Sequence, residues 1–254
     1  MKQHRALVVS HAVPQEDRDS GGRRVHDLIR FLLEMDWSVD FVALHGTFRW
    51  PEYVRKLQRQ GVAVREMSSL RREDGSWTGE DFFAECVARG KFDLALLAYW
   101  PVAEYCLPVL RRLSPHTRVI VDSVDVHFLR EARQIMGDHA GRPSGQLLDE
   151  PFGTRLLAEL NTYAAADAVL TVSATERQFL ERLLGNAVVG RVVGDCEDPL
   201  PSTVPMADRS GLLFVGSFGH LPNVQAVEFF LSDVLPRIDA RLLEKHPVLS
   251  LIHI

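Results

Sequence analysis

Cysteine is scarce in this 254-residue chain: three residues, Cys86, Cys106 and Cys196, lie far apart. No two form a two-residue-spaced pair, which argues against a zinc ribbon or a redox motif. An odd, sparse count fits a reducing cytoplasm. The ten histidines are scattered without metal-ligand spacing, so no metal site is expected. Positive charge is not in excess either. The formal net charge is −5, and the basic pairs Arg23-Arg24, Arg71-Arg72 and Arg111-Arg112 are dispersed and read as solvated faces. Nucleic acid is therefore not an expected partner. No apolar run approaches the roughly 18 residues that a membrane span needs. The N-terminal "MKQHRALVVSHAVPQ" has too short an apolar core for a signal peptide. A cytoplasmic protein is expected, with peripheral contact at the inner face of a membrane left open.

What the chain does contain is an ordinary globular mixture, 46% hydrophobic and 25% charged, in a length that admits two domains. Short continuous apolar runs alternate with helical patterns. "ALVVS" (6–10) has the signature of a strand buried on both faces, and "SVDFVAL" (38–44), "VAVREM" (62–67), "FDLALLA" (92–98), "RVIVD" (118–122) and "DAVLTVS" (167–173) read as further strands. Between them lie helical stretches such as "GGRRVHDLIRFLLEM", with Val25, Leu28, Ile29 and Leu32 at helical spacing. "VAEYCLPVLRRL" reads as a helix that Pro108 kinks or interrupts. After 118–122 a long helical stretch runs to Ala166 with an interruption at 137–145, and "AVVGRVVGD" adds one strand or two short ones. Such alternation predicts an α/β fold: a parallel sheet covered by helices, with every strand ending on one edge. Ligands bind at that edge, near the point where strand order reverses.

Residues 195–210, "DCEDPLPSTVPMADRS", break the alternation and read as a linker between a domain at 1–194 and a segment at 211–254. In that segment "GLLFVG" is a strand, and "PNVQAVEFFLSDVLPRI" a helix with Val224, Val227, Leu231 and Val234 as its buried stripe. "HPVLSLIHI" begins another strand. Two strands and a helix do not enclose a core of their own, so a truncated second domain is expected. Leu249, Leu251, Ile252 and Ile254 would otherwise leave a nearly naked apolar strand.

Several stretches carry chemistry. In "RVIVDSVDVHFLR" a buried-looking strand gives way to Asp122, Asp125, His127 and Arg130. Asp122 or Ser123 suits a helix cap near Val124, and His127 and Arg130 would then be ordinary surface. Alternatively the strand end aims Asp125 and His127 into a cleft, where the imidazole bonds a substrate hydroxyl or bears partial charge. "SGGRRVHDLIRFL" (20–32) and "LLFVGSFGHLPNVQAVEFFL" (212–231) each place glycines before a helix N-terminus, an arrangement that suits phosphate oxygens or simply a tight turn. The first lacks the spacing of a dinucleotide fingerprint, which disfavours a Rossmann dehydrogenase. Ser173 and Glu176 have the spacing of a capping box, a structural role.

Together with "NTYAAADAVLTVSATERQFL", these blocks resemble the family 4 group of GT-B glycosyltransferases over nearly the whole chain. The resemblance implies two Rossmann-like domains, the second binding a UDP- or GDP-linked sugar and the first presenting a sugar, lipid-linked or protein acceptor. It places Gly21 and Gly22 near the donor phosphates and the transferred sugar. His127 would be the active-site histidine, with Asp125 beside it. Gly216, Ser217, His220 and Asn223 would border the diphosphate. It further implies transfer with retention, no metal and no cofactor beyond the donor. The later signature of that family, two glutamates separated by seven residues, is absent because the chain ends first. Two other readings share the architecture: a non-catalytic binding or scaffold protein, and a sugar-nucleotide epimerase.

Overall fold

The computed structural model describes residues 4–45, 49–65, 79–138, 150–216, 218–219 and 221–251. Arg71-Arg72, Ser217, His220, Ile252, Ile254 and most of the interruption expected at 137–145 lie outside these residues. The chain divides into two compact units, the first ending at Cys196 and the second starting at Glu197, with Asp17–Asp19 grouped with the second.

The first unit is a seven-stranded sheet: β1 (Arg5–Ser10), β2 (Ser38–Ala43), β3 (Ala63–Arg65), β4 (Leu94–Ala98), β5 (Arg118–Asp122), β6 (Ala168–Thr171) and β7 (Gly190–Val192). All neighbours are parallel, in the order β3-β2-β1-β4-β5-β6-β7. The strands alternate their side chains between two cores. Ala6 and Val8 of β1 join one core, with Val25, Ile29 and Leu32 of α1 (Ser20–Glu34) and Tyr53, Val54 and Leu57 of α2 (Pro51–Arg59). Leu7 and Val9 join the other, which is built from α3 (Gly79–Gly90), α4 (Trp100–Leu113), α5 (His127–Asp138), α6 (Glu150–Ala165) and α7 (Ala174–Leu184). Helices on both faces explain why β1 reads as an unbroken apolar run, whereas β3 at the sheet edge is largely exposed. The chain winds from β1 outward to β3, then returns to pair β4 with β1, so the order reverses between β1 and β4. Among the described residues, no helix is long and apolar enough to cross a membrane.

Four expectations are corrected. Helix α4 runs through Pro108, so of the kink or interruption expected there the interruption does not occur. Both Pro108 and Glu104, whose carbonyl loses its bond to the missing N–H, face solvent, where water can satisfy that carbonyl. Arg24 is not on a solvated face but 4% exposed, because it serves a buried carboxylate described below. In the second unit, β8 (Leu212–Val215) pairs in parallel with β9 (Val248–Leu251), but the stripe expected on the following helix is not buried. Leu231 is 54% exposed, and Val224, Val227 and Val234 are only partly covered. That helix also stops early. α8 (Leu221–Phe229) passes into a wide turn at Phe230–Val234 and a tight one at Leu235–Arg237, ahead of α9 (Ala240–Lys245). Pro236 cannot continue the ladder, and Ser232 Oγ donates to the Glu228 carbonyl at 2.9 Å, loosening the turn before it.

Candidate functional site

β1, β4 and β5 lie side by side around the reversal of strand order, and their carboxyl ends release His11, Tyr99 and Ser123 onto one edge of the sheet. The backbone there is forced. Tyr99 has φ 74° and Val124 φ 60°, both in the left-handed region that disfavours a Cβ. For a β-branched residue this is strain, and strain of this kind concentrates where a site must be held in one geometry. The Tyr99 amide donates to the Asp122 carbonyl at 2.9 Å, stitching the two strained turns together.

The turn at Val124 delivers Asp125 and His127 to the same place. His127 Nε2 lies 3.0 Å from Asp125 Oδ1, and Arg130 pairs with the other oxygen, Asp125 Oδ2. Burial alone would raise the Asp125 carboxyl, but the bond and charge of His127 and the charge of Arg130 outweigh it and hold the group below its ordinary 3.8. Asp125 is therefore a fixed anion at neutral pH. With Nε2 bonded to it, the imidazole, whenever it is neutral, presents Nδ1 as its acceptor. The rings of Tyr99 and Trp100 stand edge-on to His127, with centroids 6.5 and 6.3 Å away, and His11 packs edge-on to Tyr99 at 5.0 Å.

Helix α5 starts at His127, so neither Asp122 nor Ser123 caps it. Its first amides are taken by a distant carboxylate. Glu159 of α6, 1% exposed, accepts from the His127 amide at 2.8 Å and the Phe128 amide at 2.9 Å, and Tyr163 Oη donates to it at 2.8 Å. Asp122 is occupied elsewhere. Its carboxylate, wholly buried, accepts two bonds from Arg24 Nε and one from Nη2 at 2.8–3.0 Å. Arg24 Nη1 also donates to the Val193 carbonyl at 2.6 Å and to Asp195 at 3.2 Å. Burial opposes the charge on Arg24, but Asp122 and then Asp195 outweigh it and hold its pKa above the ordinary value. A neutral-pH ion pair thus ties α1, β5 and the segment leaving β7 beneath the site.

The expected cap at α7 is seen on one side: Ser173 Oγ accepts from the Glu176 amide at 3.2 Å. The Glu176 carboxylate, however, turns to the β5 loop, where Oε1 accepts from the Val126 amide at 3.4 Å. Among the described residues, Glu176 Oε2, Ser123 Oγ and Trp100 Nε1 are buried without a hydrogen-bond partner, and all three belong to segments at this edge. Such atoms call for an explanation in a folded protein, and a polar binding site is one.

The glycines serve close packing. A Cβ on Gly22 would sit 2.8 Å from the Gln15 amide nitrogen and 2.9 Å from its carbonyl oxygen, so Gly22 lets the β1–α1 loop fold onto the helix start. Gly21 is buried beside it. In the second unit Gly216 and Asn223 are neighbours: a Cβ on Gly216 would meet Asn223 Nδ2 at 2.9 Å. The structure thus brings Asp125 and His127 together, and separately Gly216 and Asn223. Sequence reasoning missed Tyr99, Trp100, Arg24 and Glu159. The first two had a usable signal, since they follow β4 directly at the edge where ligands bind.

No family model matches the chain, and no curated protein matches it by sequence. Solved structures do. Sucrose-phosphate synthase from Thermosynechococcus elongatus superposes with a TM-score of 0.59 at 14% identity, over 100% of this chain and 71% of that one. Acinetobacter baumannii MurG superposes with a TM-score of 0.51 at 11% identity, over 100% of this chain and 67% of that one. Phytolacca americana UGT2, solved with UDP-2-fluoro-glucose and pterostilbene, gives 0.51 at 12% identity, over 85% of this chain and 60% of that one. At these identities the likeness concerns the fold, which is that of GT-B glycosyltransferases.

Proposed function

We propose that this chain belongs to a nucleotide-sugar-dependent glycosyltransferase of the family 4 type, in which the first unit presents the acceptor and the turn from Gly216 to Asn223 borders the donor diphosphate. The observation that supports this best is the Asp125–His127 pair, 3.0 Å apart, at the carboxyl edge beside the reversal of strand order, in a fold shared with such enzymes. A fixed anion that orients an imidazole suits a sugar-binding edge. His127 contacts the transferred sugar and steadies charge as the bond to the diphosphate loosens. Backbone amides around Gly216 and Asn223 offset the charge left on the UDP or GDP. The reading includes retention of anomeric configuration, no metal, and a sugar, lipid-linked or protein acceptor met in the cytoplasm or at the inner face of a membrane.

The same contact favours a second reading of the stereochemistry. A carboxylate-oriented imidazole with Nδ1 as acceptor is suited to take the proton from an acceptor hydroxyl. That oxygen would then attack the anomeric carbon as the nucleoside diphosphate leaves, giving inversion.

The test is nucleotide release from UDP- and GDP-sugars with and without candidate acceptors, comparing wild type with His127→Ala. Turnover lowered about a hundredfold or more, with little change in unfolding midpoint, supports His127 at the chemistry. Equal turnover in both proteins removes it. Donor interconversion without an acceptor would instead identify an epimerase, and absence of saturable UDP or GDP binding by calorimetry would leave a scaffold.

A further inference from the structure

We propose that Glu159 is the positioning residue of this site: its buried carboxylate grips the amides of His127 and Phe128 and so fixes the direction in which the His127 imidazole faces. The inference rests on the reading of His127 given above. It starts from a mismatch. Helix α5 begins with a histidine and has no acidic residue in its first turn, so its leading amides lack a local acceptor. The acceptor comes from a residue 32 positions later, on α6. Each oxygen of Glu159 takes one amide, and Tyr163 Oη adds a third bond to Oε1. A carboxylate held by three donors has one orientation, and two consecutive amides bonded to it set the backbone of His127.

The ring is then fixed from both ends. Glu159 holds the backbone, Asp125 holds Nε2, and the Tyr99 and Trp100 rings limit its swing. A carboxylate at 1% exposure is costly to desolvate, and it is matched to this place because each of its two oxygens accepts one of the two amides. Burial holds the Glu159 carboxyl above its ordinary value, only partly offset by the bonds from Tyr163, His127 and Phe128 and by the His127 charge. Among the described residues, the charged groups seen beside His127 include Asp125, Arg130 through Asp125, and Glu176 at the Val126 amide.

The experiment is an NMR measurement on the 15N-histidine-labelled chain, with His127 assigned from the signals lost in His127→Gln. In wild type, one tautomer with the proton on Nε2 is expected. In Glu159→Gln the amide group opposes one backbone N–H, so the ring loses its fixed setting and the second tautomer should appear. Tyr163→Phe, which removes one donor from the same carboxylate, should give a smaller change and decides the matter if Glu159→Gln does not fold. A lowered melting temperature with the His127 tautomer unchanged would make Glu159 a structural cap only and overturn the proposal. No substrate is present, so this outcome is independent of the transfer reading. If turnover is found, Glu159→Gln should lower kcat about tenfold with KM within about twofold, since an oriented group acts on the transition state more than on binding.

Discussion

Arg24 and Asp122 meet with both side chains shut off from water, the arginine Nε donating to each carboxylate oxygen at 3.0 and 2.8 Å. The pair joins the first helix to the fifth strand directly below the strained turn that carries Asp125. Removing one partner leaves a buried charge without compensation. Arg24→Met or Asp122→Asn should each destabilise the chain by about 3–5 kcal/mol in urea unfolding. The double variant should lose much less than the sum, because no lone charge remains. Additive losses would show that the two side chains do not act as a unit.

Gly22→Ala places a methyl against the backbone of Gln15, which cannot rotate away. A loss of about 1–3 kcal/mol is expected, with faster proteolysis of the 11–19 loop as that segment lifts. Retained stability and unchanged cleavage would mean that the loop yields without cost.

Val124 has φ 60°. Glycine there relieves roughly 1–2 kcal/mol of left-handed strain and costs about 0.5–1 kcal/mol in unfolded-chain entropy. Val124→Gly should therefore leave stability equal or raised by about 1 kcal/mol, yet loosen the turn that aims Asp125. Increased stability with reduced turnover is the expected pair of results, read by thermal unfolding and the transfer assay.

Two acid limbs should be separable in stability. Burial, assisted by Lys56 and opposed by Glu16, lowers the His26 pKa below 6.5. The unfolded chain then binds the proton first, so the stability tied to His26 is whole above pH 6.5 and declines as pH falls below it. His26→Gln should flatten that limb. Asp125 contributes at lower pH. Its carboxyl is held below 3.8, so its contribution is present above 3.8 and is lost as pH falls through the folded value. Asp125→Asn should remove this second limb while leaving the first.

Much of the architecture was legible in local pattern. β5 was read with its final boundaries, 118–122, because its apolar centre, Val119 to Val121, is bounded sharply by Arg118 and Asp122. The Ser173 cap was legible because its bond closes within three residues. The buried stripe read on the helix after residue 221 was not realised, since apolar spacing states which face prefers burial and not whether anything covers it. Asp125 and His127 were found as neighbours in sequence. Their mutual bond depends on the positive φ at Val124, which no propensity of valine suggests.

The sequence by itself determined an alternating α/β chain with a parallel sheet and a polar group delivered at the end of its fifth strand. These are short-range facts, set by hydrophobic period and by glycine and proline positions. Only the tertiary structure decided what surrounds that group. It moved Arg24 from an expected surface to a buried clip with Asp122, 98 residues away, and brought Glu159 to the start of α5. Charge pairs of this kind form when packing excludes water from two distant groups at once, and no window of residues records that event.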